Sequence, residues 1–125
     1  MNFSTFWRDN RGTSSLEFAL TAPVFFLFLF GIIEFGLLFW TQIGLQHGTA
    51  MAARCATVNS TLCPNSTAVT SYAAQQAFGL SLPTQTFTHS KPACGNQVSA
   101  SYVFHFPEVL NLSPVTLTAQ TCFPN

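Results

Sequence analysis

The sequence predicts an α+β protein in which a long, apolar N-terminal helix precedes a small, disulfide-stapled domain of one helix and about three antiparallel strands. Three observations carry this. An apolar run occupies residues 16–40 and is free of charge from 18 to 33. Four cysteines, Cys55, Cys63, Cys94 and Cys122, fall in the Ser/Thr-rich remainder. From Val98 onward apolar and polar side chains alternate with the period of two that marks a half-buried strand.

The apolar run comes first. Seven of the fourteen phenylalanines lie between Phe18 and Phe39. As a helix its 25 residues reach about 37 Å, enough for a hydrocarbon core of roughly 30 Å. A buried soluble helix is the competing reading, but the residues after Trp40 are too few and too polar to wrap a cylinder that is apolar all round. A removable signal is disfavoured because secretory apolar cores run only about 7–15 residues. The small-residue site Ala50-Met51-Ala52 also lies some ten residues beyond the end of the run. Arg54 immediately before Cys55 argues against lipid attachment at that cysteine. Arg8 and Arg11 flank the run on its N-terminal side and Arg54 is the nearest base on the other, so the positive-inside bias keeps the N-terminus cytoplasmic and exports the rest. The chain thus divides into a basic leader at 1–12, an apolar helix at 13–56 spanning the membrane over about 16–40, and a small exported α+β domain at 57–125.

Composition excludes several functions. The 125 residues are 48% hydrophobic and 6% charged, with four basic and four acidic groups. Global disorder needs the opposite balance. Four Lys and Arg cannot build a phosphate-binding patch, so nucleic acid is not expected as a partner.

Beyond Trp40 the helix is expected to continue to Arg54, with Gly44, Gly48 and Ala52 at every fourth position. Such a stripe allows close approach of another helix, although small residues merely tolerated in a long helix would look the same. A loop at Cys63-Pro64-Asn65 leads to Ser66, read as the N-cap of a second helix over 67–78 that Gly79 ends. Val98, Ala100, Tyr102, Phe104 and Phe106 form the inner face of one strand, residues 115–121 form another, and 84–88 supply a third. The second helix is expected to cover the face bearing Tyr102, Phe104 and Leu117. An even cysteine count in a small exported region favours disulfides. Of three possible pairings, Cys55–Cys63 with Cys94–Cys122 is the most economical. Zinc is disfavoured because no Cys-x2-Cys pair occurs and His47, His89 and His105 are scattered.

No catalytic constellation is visible. Glu108 and Lys91 are nearly the only charges of the exported region, and neither His89 nor His105 lies in a nucleophile motif. The reading is a non-enzyme without metal, cofactor or small-molecule substrate. Asn59-Ser60-Thr61 and Asn65-Ser66-Thr67 match glycosylation acceptors, but such triplets arise easily in this composition.

The junction Arg11-Gly12-Thr13-Ser14-Ser15-Leu16-Glu17-Phe18 is the chemically unusual segment. A carboxylate inside the start of a membrane helix costs several kcal/mol unless partnered. Cleavage after Gly12 would make Thr13 an amino terminus one helical turn from Glu17. At this point the string resembles a type IV pilin processing site. With Ala19, Pro23, the later Gly31-Ile32-Ile33-Glu34-Phe35-Gly36 and Ala50-Met51-Ala52-Ala53-Arg54, it is similar to the TadE-type pseudopilins of tight-adherence (Flp, type IVb) pilus systems over residues 8–56. The C-terminal strands resemble that family weakly, and the four cysteines are not part of its pattern.

The resemblance implies a pilin-like helix and a bacterial inner-membrane subunit, with its C-terminal domain periplasmic and a route to the cell surface after assembly. It implies processing by a prepilin peptidase at Gly12, Thr13, Glu17 and Phe18, and partners among membrane lipid, that peptidase, other pilins and pilus assembly proteins. Glu17 would then pair with the new amino terminus of a neighbouring subunit, where mutual neutralisation offsets the cost of burying either charge. An interfacial glutamate that snorkels to the headgroups is the plainer alternative. Helix packing between subunits would draw on Glu17, Pro23, Glu34, Gly44, Gly48 and Ala52. Pro23 either loosens the helix for extraction from the bilayer or is a harmless kink. Glu34 marks the outer edge of the hydrocarbon zone or joins a subunit contact. The function implied is that of a minor pilin or pseudopilin in assembly of an adhesive fibre. An uncleaved bitopic scaffold with an exported binding domain is the alternative.

Overall fold

The computed structural model describes residues 13–125. Helix α1 spans Thr13–Val58 and helix α2 spans Ser66–Gln75, followed by strands β1 Phe87–Ser90, β2 Asn96–Phe104 and β3 Val115–Phe123. Single 3-10 turns stand at Thr84–Thr86 and Glu108–Leu110. The chain divides into two compact units between Phe35 and Gly36.

In the first unit the helix is built from Leu, Phe and Ala, and no residue of 13–35 is buried. Its apolar side chains point outward on every side, with Phe18, Phe28 and Ile32 each more than two-thirds exposed. Such a surface is favourable when lipid or other apolar chains cover it, and by length and composition this helix is long and apolar enough to cross a membrane. Pro23 stands inside it. It deprives only the Ala19 carbonyl of its helical donor, and the helix continues past it. The Thr21 hydroxyl donates to the Glu17 carbonyl at 2.9 Å, so its polar group is satisfied within the helix.

The second unit is an antiparallel sheet in the order β1-β2-β3 with helical layers from α2 and the C-terminal half of α1. Register pairs Phe87 with Ala100, Ala100 with Ala119, and Tyr102 with Leu117, which sets their side chains on one face. That face meets Leu45, Ala52, Ala53, Val69, Ala73 and Ala77 in a single core. The core has few large side chains. Leu45, Val69 and Val98 are the biggest apolar ones fully removed from solvent, and alanine fills most of the rest. Small residues let the layers approach closely and substitute contact area for bulk.

Several expected details shift. The N-cap of α2 is Asn65, not Ser66: its side-chain oxygen accepts from the Ala68 N–H at 2.9 Å, and the helix therefore starts one residue earlier. Asn is at least as good a cap as Ser, and Asn65 holds the extended backbone that an N-cap adopts. The helix ends at Gln75 instead of 78, because Phe78 and Gly79 both adopt positive φ and turn the chain away. Residues 84–86 form a 3-10 turn after Pro83, and the first strand starts at Phe87. The central strand ends at Phe104, so Phe106 lies outside it; the run into Pro107 ends the pairing. Finally, α2 lies over β1, while α1 is the helix hydrogen-bonded to β3, so the Tyr102, Phe104 and Leu117 face is not covered by α2 alone.

Candidate functional site

The residues singled out by sequence fall into two places. Glu17, Phe18, Pro23 and Glu34 lie on the first unit's exposed helix, whereas Gly12 and the rest of the leader lie outside the described residues. Glu17 is exposed and Glu34 half-buried. Seventeen residues place the two carboxylates about 25 Å apart along the axis and roughly 100° apart around it. They form no pair with each other; one stands near each end of the apolar stretch.

Gly44, Gly48 and Ala52 are buried in the second unit. Gly48 lies where α1 passes α2 of the same chain, and Gly44 where α1 passes the turn that follows α2. A Cβ on Gly48 would stand 2.7 Å from the Ala73 carbonyl oxygen, and one on Gly44 would stand 2.6 Å from the Leu80 methyl and 3.1 Å from the Ala77 carbonyl oxygen. The glycines are therefore required for the helices to touch at this spacing.

The disulfides join Cys55 to Cys63 and Cys94 to Cys122. The first ties the end of α1 to the loop before α2. The second ties the β1–β2 turn to β3.

Two clusters were not anticipated. Around Asn96, which is 3% exposed, one hydrogen-bonded chain connects five segments. The Asn96 amide donates to Thr57 Oγ1 at 3.1 Å and to Asn125 Oδ1 at 2.9 Å. Its oxygen accepts from His89 Nε2 at 3.1 Å, which leaves His89 Nδ1 to accept from the Ser66 hydroxyl at 3.1 Å. No single stretch of sequence signals this, because the partners come from α1, α2, β1, β2 and the C-terminus. Its role is structural: it satisfies every polar atom of a buried amide. Asn96→Ala should lower the stability of the module by about 1–3 kcal/mol, measured by thermal melting in detergent, since it leaves the partners of a buried amide without a replacement. The second cluster is aromatic. Phe78 stacks on His47 with ring centroids 4.3 Å apart and meets Trp40 at 5.9 Å. His47 is held in place by its Nδ1–H, which donates to the Gln76 carbonyl at 2.8 Å. Among the described residues, no three His, Cys, Asp or Glu side chains gather into a metal-binding group.

An apolar helix long enough to cross a membrane, followed by a small α+β module held by two disulfides, defines a protein with a candidate membrane span and a folded C-terminal module. The model of the family described as TadE-like protein matches residues 12–54, about a third of the chain, and over these residues the chain is similar to TadE-like proteins. Comparison with curated proteins and with solved structures gives no match. The family match ends just before Cys55, so both disulfides and the sheet stand outside it.

Proposed function

We propose that this chain is a minor pilin or pseudopilin of a tight-adherence (Flp, type IVb) pilus system. A prepilin peptidase cuts it between Gly12 and Thr13, and the mature subunit then takes part in assembly of an adhesive fibre. It is held in the bacterial inner membrane by α1 with its leader in the cytoplasm and its module in the periplasm. Its partners are the peptidase, other pilins and the assembly proteins. The observation that supports this reading best is the TadE-like match beginning at Gly12 and running along an apolar helix that bears Glu17 near its start.

Glycine fits the peptidase's task because a residue without a side chain admits the closest backbone approach. After the cut, the ammonium on Thr13 and the carboxylate of Glu17 on a neighbouring subunit neutralise each other within an apolar bundle, where either charge alone is expensive. Glu17 thereby acts in assembly and Gly12 in processing.

Intact-mass measurement of protein extracted from membranes should give a chain starting at Thr13. A chain that retains Met1, or that starts after Ala52, would overturn the pilin reading. Glu17→Gln keeps the shape and removes the charge; cleavage should persist while recovery in sheared surface fibres falls about tenfold or more. Fibre incorporation equal to the parent would reduce Glu17 to an interfacial bystander. Recovery of the parent chain from inner membranes alone, never from fibres, would favour the uncleaved bitopic scaffold.

A further inference from the structure

Three hydrogen-bonded contacts align the sheet along α1. Gln42 Nε2 donates to the Thr118 carbonyl at 2.9 Å, the Thr49 and Thr121 hydroxyls lie 3.2 Å apart, and Thr57 accepts from Asn96, which pairs with Phe123. Residue numbers rise together in both elements, so β3 runs in the same direction as α1. The start of β3, and with it the 105–114 connection, therefore lies at the Gly36 end of the module. The Lys91 turn and Arg54 lie toward the opposite end.

At the Gly36 end three large apolar side chains stand uncovered, as Val58 and Leu62 do near the other end. Trp40 is 54% exposed, Phe78 45% and Leu112 51%. Trp40 closes the apolar run of α1, and α2's exit turn brings Phe78 against it. Phe78 holds φ at 49°, in the left-handed region that glycine or asparagine enters far more readily. Its ring stacks on His47 and meets Trp40 on one side and stays open to solvent on the rest. Aromatic side chains of this kind are enriched where a membrane helix leaves the hydrocarbon, because the ring is apolar enough for the acyl boundary and tolerates the wet headgroups. The surface is also continuous along the chain with the apolar helix, which argues for lipid as its occupant.

We propose that the Gly36 end of the module is seated in the headgroup layer of the membrane that α1 crosses, with Trp40, Phe78 and Leu112 as its lipid contacts. This rests on the membrane reading of α1 given above.

The test uses the full chain reconstituted into vesicles of phosphatidylcholine with a quarter phosphatidylglycerol. Trp7→Phe and Trp40→Phe remove the native indoles, and single reporters are introduced as Phe78→Trp, Leu112→Trp, Phe28→Trp and Leu62→Trp. Lipids brominated high or low on the acyl chains act as depth-dependent quenchers. At positions 78 and 112 shallow bromines should quench about twofold more than deep ones, as for side chains at the interface. At position 28 the order should reverse, and at position 62 neither lipid should quench. If 28 is quenched while 78 and 112 emit as in water, the head stands clear of the bilayer and the proposal is wrong. Equal quenching at 62 would also overturn it, by showing contact without orientation. If 28 is itself unquenched, the membrane reading of α1 falls, and this inference with it.

Discussion

Replacing Cys94 and Cys122 by serine is expected to destabilise the module more than replacing Cys55 and Cys63. The reason lies in the unfolded chain. The first bridge closes a separation of 28 residues and the second one of 8. Loop-closure entropy then assigns about 3.5 kcal/mol to the long link and about 2.5 kcal/mol to the short one. The core is too small to absorb the larger loss, since alanine fills most of it and marginal stability is the rule for domains of this size. Thermal melting in mild detergent should show a drop of roughly 15–25 °C for the Cys94/Cys122 variant. A larger drop for the Cys55/Cys63 variant would show that fixing the end of α1 matters more than the length of chain enclosed.

Gly48→Val should be nearly as damaging, by about 3 kcal/mol, through overpacking of a rigid contact. The added Cβ meets the Ala73 carbonyl oxygen at 2.7 Å and the Phe87 ring at 3.4 Å. A backbone oxygen in a helix cannot swing aside as a side-chain end can, so α2 would have to withdraw from α1 and open the core behind it. Gly44→Ala should be milder, because its closest neighbour is a methyl of Leu80, which can change rotamer. Gly36→Ala is the control, with nothing within 4 Å of the new methyl. Melting temperatures should therefore rank Gly36→Ala, Gly44→Ala, Gly48→Val from highest to lowest. If Gly48→Val melted with the control, α1 and α2 would not be packed at this spacing.

Much of the architecture was legible because it rests on local or compositional causes. The apolar run from Leu16 to Trp40 has one physical consequence at its length, and the alternation through Val98, Ala100 and Tyr102 has another. The boundaries moved where two acceptable signals competed. Asn65 outranked Ser66 as the cap, and Pro83 turned 84–86 into a 3-10 turn. The junction at Gly12 and Glu17 was legible as a motif, since its chemistry depends on spacing along one helix and on no distant partner.

The sequence by itself determined the apolar helix, the presence of a second helix and three strands, and the resemblance carried by residues 8–56. Each follows from periodicity, length or residue order within a single segment. Tertiary structure alone decided the partner of the small stripe, the five-segment network around Asn96, the meeting of Phe78 with Trp40 and His47, and the direction of β3 along α1. Apart from His89 with Asn96, these join residues between 23 and 76 positions apart, for example Ser66 with His89 and Gln42 with Thr118. No local propensity encodes such pairings, because they arise only when the burial of one small core selects a single arrangement of all its elements.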